Sequence, residues 1–213
     1  MNPTQHSTLN TQHSQGNLLF PVFLCLDKLR ILVVGGGYVG LEKVSTFYKN
    51  SPNANITLVA PEIKDEIVEI SKLMNLVLVQ EPFKPSHLTN IDLVIVATNL
   101  RELNSYVRCE AKMRRILINV ADTPAECDFY LSSVVKKGDL KIGISTNGKS
   151  PTFAKRFREV LEDILPDSIQ SILDNLTKIR ENLKGDFEEK VNKLNEITAV
   201  LSKKEDEKEK TKE

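Results

Sequence analysis

The chain has 213 residues, enough for one ordinary domain and a smaller appendage. Lys plus Arg (29) balance Asp plus Glu (29), so no global charge points to nucleic acid or a membrane surface. No apolar run approaches the roughly 20 residues needed to span a bilayer, and Met1 to Asn17 is polar with no apolar signal-peptide core, so a cytoplasmic chain is expected.

In chain order, residues 1–17 read as a disordered tail, too poor in apolar groups to offset ordering entropy. Leu18 to Leu26 reads as an edge strand, and Asp27-Lys28 as a turn. Arg30 to Val34 is a β-branched run of the kind buried in parallel sheets. Gly35-Gly36-Gly37 follows, then a helical pattern from Val39 to Lys49. Ile56 to Ala60 predicts a second strand, and Glu62 to Met74 a helix carrying Ile63, Ile67, Ile70 and Leu73 on one face. Leu76 to Gln80 and Asp92 to Ala97 predict two strands, Glu102 to Arg114 a helix, and Ile116 to Val120 a fifth strand. This alternation implies a Rossmann-like parallel sheet.

The pattern then changes. Phe129 to Val135 and Leu140 to Ser145 flank a Gly138-Asp139 turn, which reads as a β-hairpin. Ser150 is placed to cap a helix that opens on Pro151 and ends before Pro166. Asp167 or Ser168 can cap a second helix with Ile169, Ile172, Leu173, Leu176 and Ile179 on one face. Gly185 should break it, and Asp186 with Glu189 resembles a capping box for a third helix through Leu201. Residues 202–213 are charged and read as a second disordered tail. The expected organisation is therefore 18–121 for the nucleotide-binding domain, 122–150 for a β region and 151–201 for helices. The last two parts are too small to bury their apolar faces alone, so a second copy of the chain is their simplest partner.

Chemistry concentrates at few positions. Gly35-x-Gly37-x-x-Gly40 stands between a strand and a helix, the setting in which such glycines cradle a dinucleotide. Gly35 should make the tight turn, Gly37 should let backbone approach a pyrophosphate, and Gly40 should let helix and strand pack closely. Glu62 is the acid nearest the end of the second strand. Lys64 is near it but no Arg stands there, which favours NAD over NADP. Ala97 and Thr98 end the fourth strand at the edge where ligands bind in open α/β sheets. The three cysteines, Cys25, Cys109 and Cys127, fit no metal or CxxC spacing; Cys25 and Cys109 read as buried small residues, and no metal centre is expected. Asp128 reads as a structural carboxylate.

Several separate motifs then fall into one order: Phe20-Pro21-Val22-Phe23-Leu24, Ile31 to Gly37 with Glu42-Lys43, Val94 to Thr98, Ile118-Asn119-Val120-Ala121-Asp122, Phe129-Tyr130, and Ile144 through Ala154. From Leu18 to Pro166 the chain resembles the precorrin-2 dehydrogenase family, which includes the N-terminal module of bacterial siroheme synthase. The resemblance implies a cytoplasmic homodimer that oxidises precorrin-2 to sirohydrochlorin with NAD, with Fe²⁺ insertion into the product as a further activity of some members. It places nucleotide contacts on Tyr38, Val39, Pro61 and Glu62, and a functional aspartate on Asp122. Asp122, at the carboxyl end of a strand, is suited to accept a proton; the alternative is a turn residue before Pro124. Asn119 and the Ser145, Thr146, Asn147, Gly148 and Ser150 loop are candidates for holding the polycarboxylate substrate. The chain departs from the family at Leu131-Ser132-Ser133, where a proline is common. A different class, an NAD-sensing regulatory domain without catalysis, would share the glycine loop but has no reason to carry the segment from Asn119 to Ala154.

Overall fold

The computed structural model describes residues 16–183 and 187–198. The expectations for both tails, for Gly185 and Asp186 and for Leu201 lie wholly or mostly outside those residues. The elements run β1 (Arg30–Gly36), α1 (Tyr38–Asn50), β2 (Asn55–Ile63), α2 (Asp65–Ser71), β3 (Leu76–Val79), β4 (Leu93–Val96), α3 (Arg101–Met113), β5 (Leu117–Val120), β6 (Ser133–Lys137), β7 (Leu140–Ile144), α4 (Pro151–Ile164), α5 (Ile169–Asn182) and α6 (Phe187–Thr198). Single 3₁₀ turns cover Pro85–Leu88 and Pro124–Glu126.

β1 to β5 form one parallel sheet in the order β3-β2-β1-β4-β5. This is the order of a doubly wound nucleotide-binding half, with β1 beside the switch point. Period-two alternation along each strand builds two cores, one on each face. Ile31, Val33, Leu58 and Ile95 point to one side, against Val44 and Phe47 of α1 and Ile67 of α2. Leu32, Val34, Val94 and Ile118 point to the other, against Val107 and Ala111 of α3. Both faces are covered, which is why these strands read as continuous apolar runs.

Two compact units divide the chain: Met1–Val134 with Gly143–Arg156, and Val135–Ile142 with Phe157–Glu213. The first holds the sheet. In the second, Gly138 turns between β6 and β7 with φ +58°, and the turn is fastened to α5. There the Asp139 N–H donates to Gln170 Oε1 (2.8 Å), Gln170 Nε2 donates back to Asp139 Oδ2 (3.0 Å), and Lys137 pairs with Asp167 (2.8 Å).

Four sequence expectations are corrected. Leu18 to Leu26 pairs with no strand, and Leu18, Phe20, Val22 and Phe23 lie exposed. An apolar run alone does not make a strand without a ladder partner. The helix expected from Glu62 begins only at Asp65, because β2 continues through Ile63, which pairs with Gly36. The strand expected from Phe129 begins at Ser133, since Phe129 and Leu131 pack instead against the sheet core. Cys25 and Cys109 are exposed rather than buried.

Leu58 is fully buried at the centre of one core. Leu58→Ala should therefore cost about 2–5 kcal/mol of stability, measured by urea denaturation. A loss under about 1 kcal/mol would show that this core is loosely packed.

Candidate active site

The site forms where the carboxyl ends of β1, β4 and β5 lie side by side. Hydrogen bonds step across these ends: Ala97 N–H donates to Val34 O (2.8 Å), and Ala121 N–H donates to Val96 O (2.9 Å). Residues just beyond each strand are thereby brought to one edge.

At the end of β1 the glycines are required by contact. Gly35 has φ +118°, and a Cβ there would collide with the Ala97 carbonyl. A Cβ on Gly36 would strike the Glu62 carbonyl, and one on Gly40 would strike the Gly35 carbonyl. Gly37 differs: a Cβ there would meet nothing within 4 Å, so its surroundings are open. It is the N-cap of α1, whose first turn contains no acid and whose free amides favour an anion. An open concavity of backbone N–H groups beside glycine fits the phosphates of a dinucleotide. Tyr38 is exposed, with Lys64 Nζ 4.2 Å above its ring, while Val39 packs into the core. Pro61 and Glu62 lie alongside on β2; the Pro61 carbonyl accepts from Gln80 Nε2 (3.4 Å) and the Lys64 N–H donates to Gly36 O (3.0 Å).

Beyond β4, Ala97 is buried against Gly35, and Thr98 is held by a residue that sequence reasoning passed over. Asn104, buried on α3, donates to the Thr98 carbonyl (3.1 Å) and accepts from Thr98 Oγ1 (2.5 Å). The same hydroxyl accepts from the Leu100 N–H (3.1 Å), which fixes the loop. The signal was present as a polar residue inside the apolar stripe Leu103, Val107 and Ala111.

Beyond β5, Asp122 adopts φ +58°, the left-handed region that an L-residue occupies at a cost. Its side chain is exposed and makes no hydrogen bond among the described residues. It is not spent on capping the local turn. Asn119, by contrast, is buried, and its amide donates to the Phe129 carbonyl (2.8 Å). Cys127 is half-buried, and burial pushes its thiol above the ordinary value. Asp128 pairs with Lys112 and accepts from the Ile118 N–H (3.1 Å). Burial opposes its ionisation, but those two hydrogen bonds prevail and hold its carboxyl below the ordinary carboxylate value.

The fourth component is the loop before α4. Asn147 (φ +54°) and Gly148 (φ +75°) turn the chain, and a Cβ on Gly148 would lie 3.9 Å from Pro124 Cγ. This places the loop beside the Asp122 turn. Ser145 Oγ accepts from Asn17 Nδ2 (3.2 Å) and the Asn147 N–H (3.2 Å). Thr146 Oγ1 accepts from the Ser150 N–H (3.2 Å), and Ser150 Oγ from the Phe153 N–H (3.1 Å), the expected N-cap. Each hydroxyl therefore serves as acceptor and keeps its own proton to donate.

Residues 22–133 match a family described as "Putative NAD(P)-binding". The chain belongs to that family. Residues 137–164 of this NAD(P)-binding chain match the family described as "Sirohaem biosynthesis protein central". A siroheme synthase of Pseudoalteromonas translucida is 38% identical over 167 residues, covering 78% of this chain and 35% of that protein. One from Psychrobacter arcticus is 34% identical over 172 residues, covering 81% of this chain and 30% of its own length. The chain thus spans about a third of the curated relatives it matches. Among solved structures, SirC, precorrin-2 dehydrogenase, superposes with a TM-score of 0.66 at 28% identity over 84% of this chain and 89% of that one. The family resemblance and the fold read from the sequence are both borne out. No helix among the described residues is long and apolar enough to cross a membrane.

Two measurements check the electrostatics of this edge. In the native protein, a thiol-alkylating reagent at neutral pH should label Cys25 and Cys109 well before Cys127, read by peptide mass; equal rates would contradict the half-buried thiol. Because the Asp128 carboxyl is depressed in the fold, its contribution is fully present above the ordinary carboxylate pKa. It is lost as pH falls below about 4. Denaturation of wild type and Asp128→Asn should therefore converge in stability as pH drops below 4, and a constant gap would refute the linkage.

Proposed function

We propose that the chain is an NAD-dependent precorrin-2 dehydrogenase, oxidising precorrin-2 to sirohydrochlorin on the way to siroheme. The observation that carries this reading is the convergence, on one sheet edge, of a glycine cradle and a carboxylate unpaired among the described residues, with a hydroxyl-lined loop beside the carboxylate turn. The names of the relatives and of SirC support the substrate class.

In this reading Gly35, Gly37 and Gly40, with the amides at Tyr38 and Val39, hold the pyrophosphate. Pro61 and Glu62 border the ribose, and Ala97 and Thr98 line the floor. Glu62 favours the ribose hydroxyls of NAD over a 2′-phosphate. When bound, the nicotinamide supplies the hydride acceptor. The chain must then hold the tetrapyrrole and accept a proton. Asp122 takes that proton: its carboxylate is exposed, uncommitted and anchored beyond β5. Ser145, Thr146, Asn147, Gly148 and Ser150 present hydroxyls and amides to the substrate carboxylates. Asn119 stands behind this edge, its buried amide holding the Phe129 carbonyl (2.8 Å).

The same reading assigns 18–121 to the nucleotide domain, 122–150 to the β region, 151–201 to the helices, and the cytoplasm as location. It makes the protein a homodimer, with the exposed Val160, Ile164 and Ile172 as apolar surface for a second copy.

Anaerobic turnover of precorrin-2 with NAD, followed by sirohydrochlorin absorbance, tests the proposal. Asp122→Asn should lower kcat by about 10²-fold or more with the KM for NAD little changed. Unchanged turnover would remove Asp122 from proton transfer. No turnover by a folded, NAD-binding wild type would overturn the dehydrogenase and favour a nucleotide sensor.

A further inference from the structure

β5 is the outer strand of the sheet, so one of its edges has no neighbouring strand. An open edge leaves main-chain N–H and C=O groups without partners. Here that edge is closed by the chain that returns after the Asp122 turn, and largely by side chains. The Asp128 N–H donates to Ile118 O (2.8 Å), and Asp128 Oδ2 accepts from the Ile118 N–H (3.1 Å). Two residues further along, the Cys127 sulfur accepts from the Val120 N–H (3.2 Å), and its S–H faces Val120 O (3.2 Å) and Thr123 O (3.4 Å). Asn119 Nδ2 also reaches the same sulfur (3.5 Å).

The loop between these anchors, Ala121 to Glu126, is the one that carries Asp122. Its first residue is tied to β4 by Ala121 N–H to Val96 O (2.9 Å). Its last is tied by the Glu126 N–H to Thr123 O (3.0 Å). Between them Asp122 holds φ +58° with no hydrogen bond from its own side chain among the described residues. A non-glycine residue in that region costs about 1–3 kcal/mol and persists only where its surroundings impose it. Across Asp122 the Thr123 N–H donates to Val120 O (3.3 Å), and the Cys127 thiol donates to the same carbonyl (3.2 Å).

We infer that Cys127, together with Asp128, is a positioning residue: it closes the free edge of β5 and thereby sets the Asp122 carboxylate for the reaction proposed above. This rests on the functional reading for its catalytic consequence and on the hydrogen bonds alone for its structural one. The thiol suits the task because it is compact, both gives and takes hydrogen bonds, and tolerates partial burial. It needs no thiolate chemistry.

The test compares Cys127→Val, a slightly larger apolar side chain with neither donor nor acceptor, with Cys127→Ser, which retains a donor and an acceptor. Two quantities are read on the full chain. The first is hydrogen exchange of the Val120 amide by NMR, which should quicken about tenfold or more in Cys127→Val and be largely restored in Cys127→Ser. The second is turnover, where kcat should fall about 10- to 100-fold in Cys127→Val while the KM for NAD stays within about twofold, with partial rescue by serine. Should the branched side chain prevent folding, Cys127→Ala reads the same two quantities. Wild-type exchange at Val120 in the valine or alanine variant would overturn the clamp. Faster exchange with unchanged kcat would overturn its link to Asp122. Absence of turnover in wild type would instead strike the dehydrogenase reading, and the exchange would still decide the clamp.

Discussion

Everything at the proposed nucleotide site depends on how closely three backbones approach at the end of β1. Gly35 lies against the carbonyl of Ala97 just beyond β4, Gly36 against the carbonyl of Glu62 on β2, and Gly40 against the carbonyl of Gly35 itself. No side chain larger than hydrogen fits at any of the three. This contact has two effects at once. It lets α1 start directly off the strand with its amides free, and it pulls the ends of β2 and β4 in beside the turn. A Cβ at Gly35 would have to displace β4, and with it the Ala121 anchor one strand further out. The glycine turn thus bears on the register of the whole edge, not only on phosphate binding.

The far side of the same edge is built on different physics. Around β1 the geometry is set by close packing of main chain, which has discrete solutions and little tolerance. Around β5 it is set by polar side chains reaching the main chain: Asn104 to Thr98, Asn119 to Phe129, Cys127 to Val120, Asp128 to Ile118. Each of these satisfies a backbone group that would otherwise lack a partner at a sheet margin. The proposed cofactor half of the site is therefore rigid by packing. The carboxylate half is held by hydrogen bonds that can be removed one at a time, and so lends itself to dissection.

That difference also explains what could be read from the sequence. The parallel sheet was legible because buried strands must be β-branched runs, as Arg30 to Val34 and Leu93 to Val96 are. The glycine cradle was legible because its spacing reflects a steric demand within one short segment. The boundaries that moved did so where tertiary contact outweighed local pattern. Ile63 and Leu73 fit a helical stripe with Ile67 and Ile70, yet Ile63 is drawn into β2 by pairing with the side-chain-free Gly36. Leu18 to Leu26 is apolar enough for a strand but finds no ladder. Asn104 left a trace as a polar residue in an apolar stripe, but what it and Cys127 hold was not legible, since their partners are main-chain atoms six or seven residues away.

The unit containing Val135–Ile142 and Phe157–Glu213 shows the same interplay on a smaller scale. A two-stranded hairpin is marginal by itself in water. The Gly138-Asp139 turn reads locally as the device that reverses the chain, and φ +58° at Gly138 agrees. Yet a Cβ at Gly138 would strike Gln170, so the glycine is also what lets the hairpin tip sit down on α5. Gln170 then uses both ends of its amide on Asp139, and Lys137 reaches Asp167 just before the helix. Exposed ion pairs contribute little alone. The paired amide bonds do more, because they specify one geometry and leave neither amide end without a partner. Turn and helix therefore stand as one element. The polar groups of the turn are paired with Gln170 and Asp167, while Ile172 and Ile179 of α5 stay on the surface.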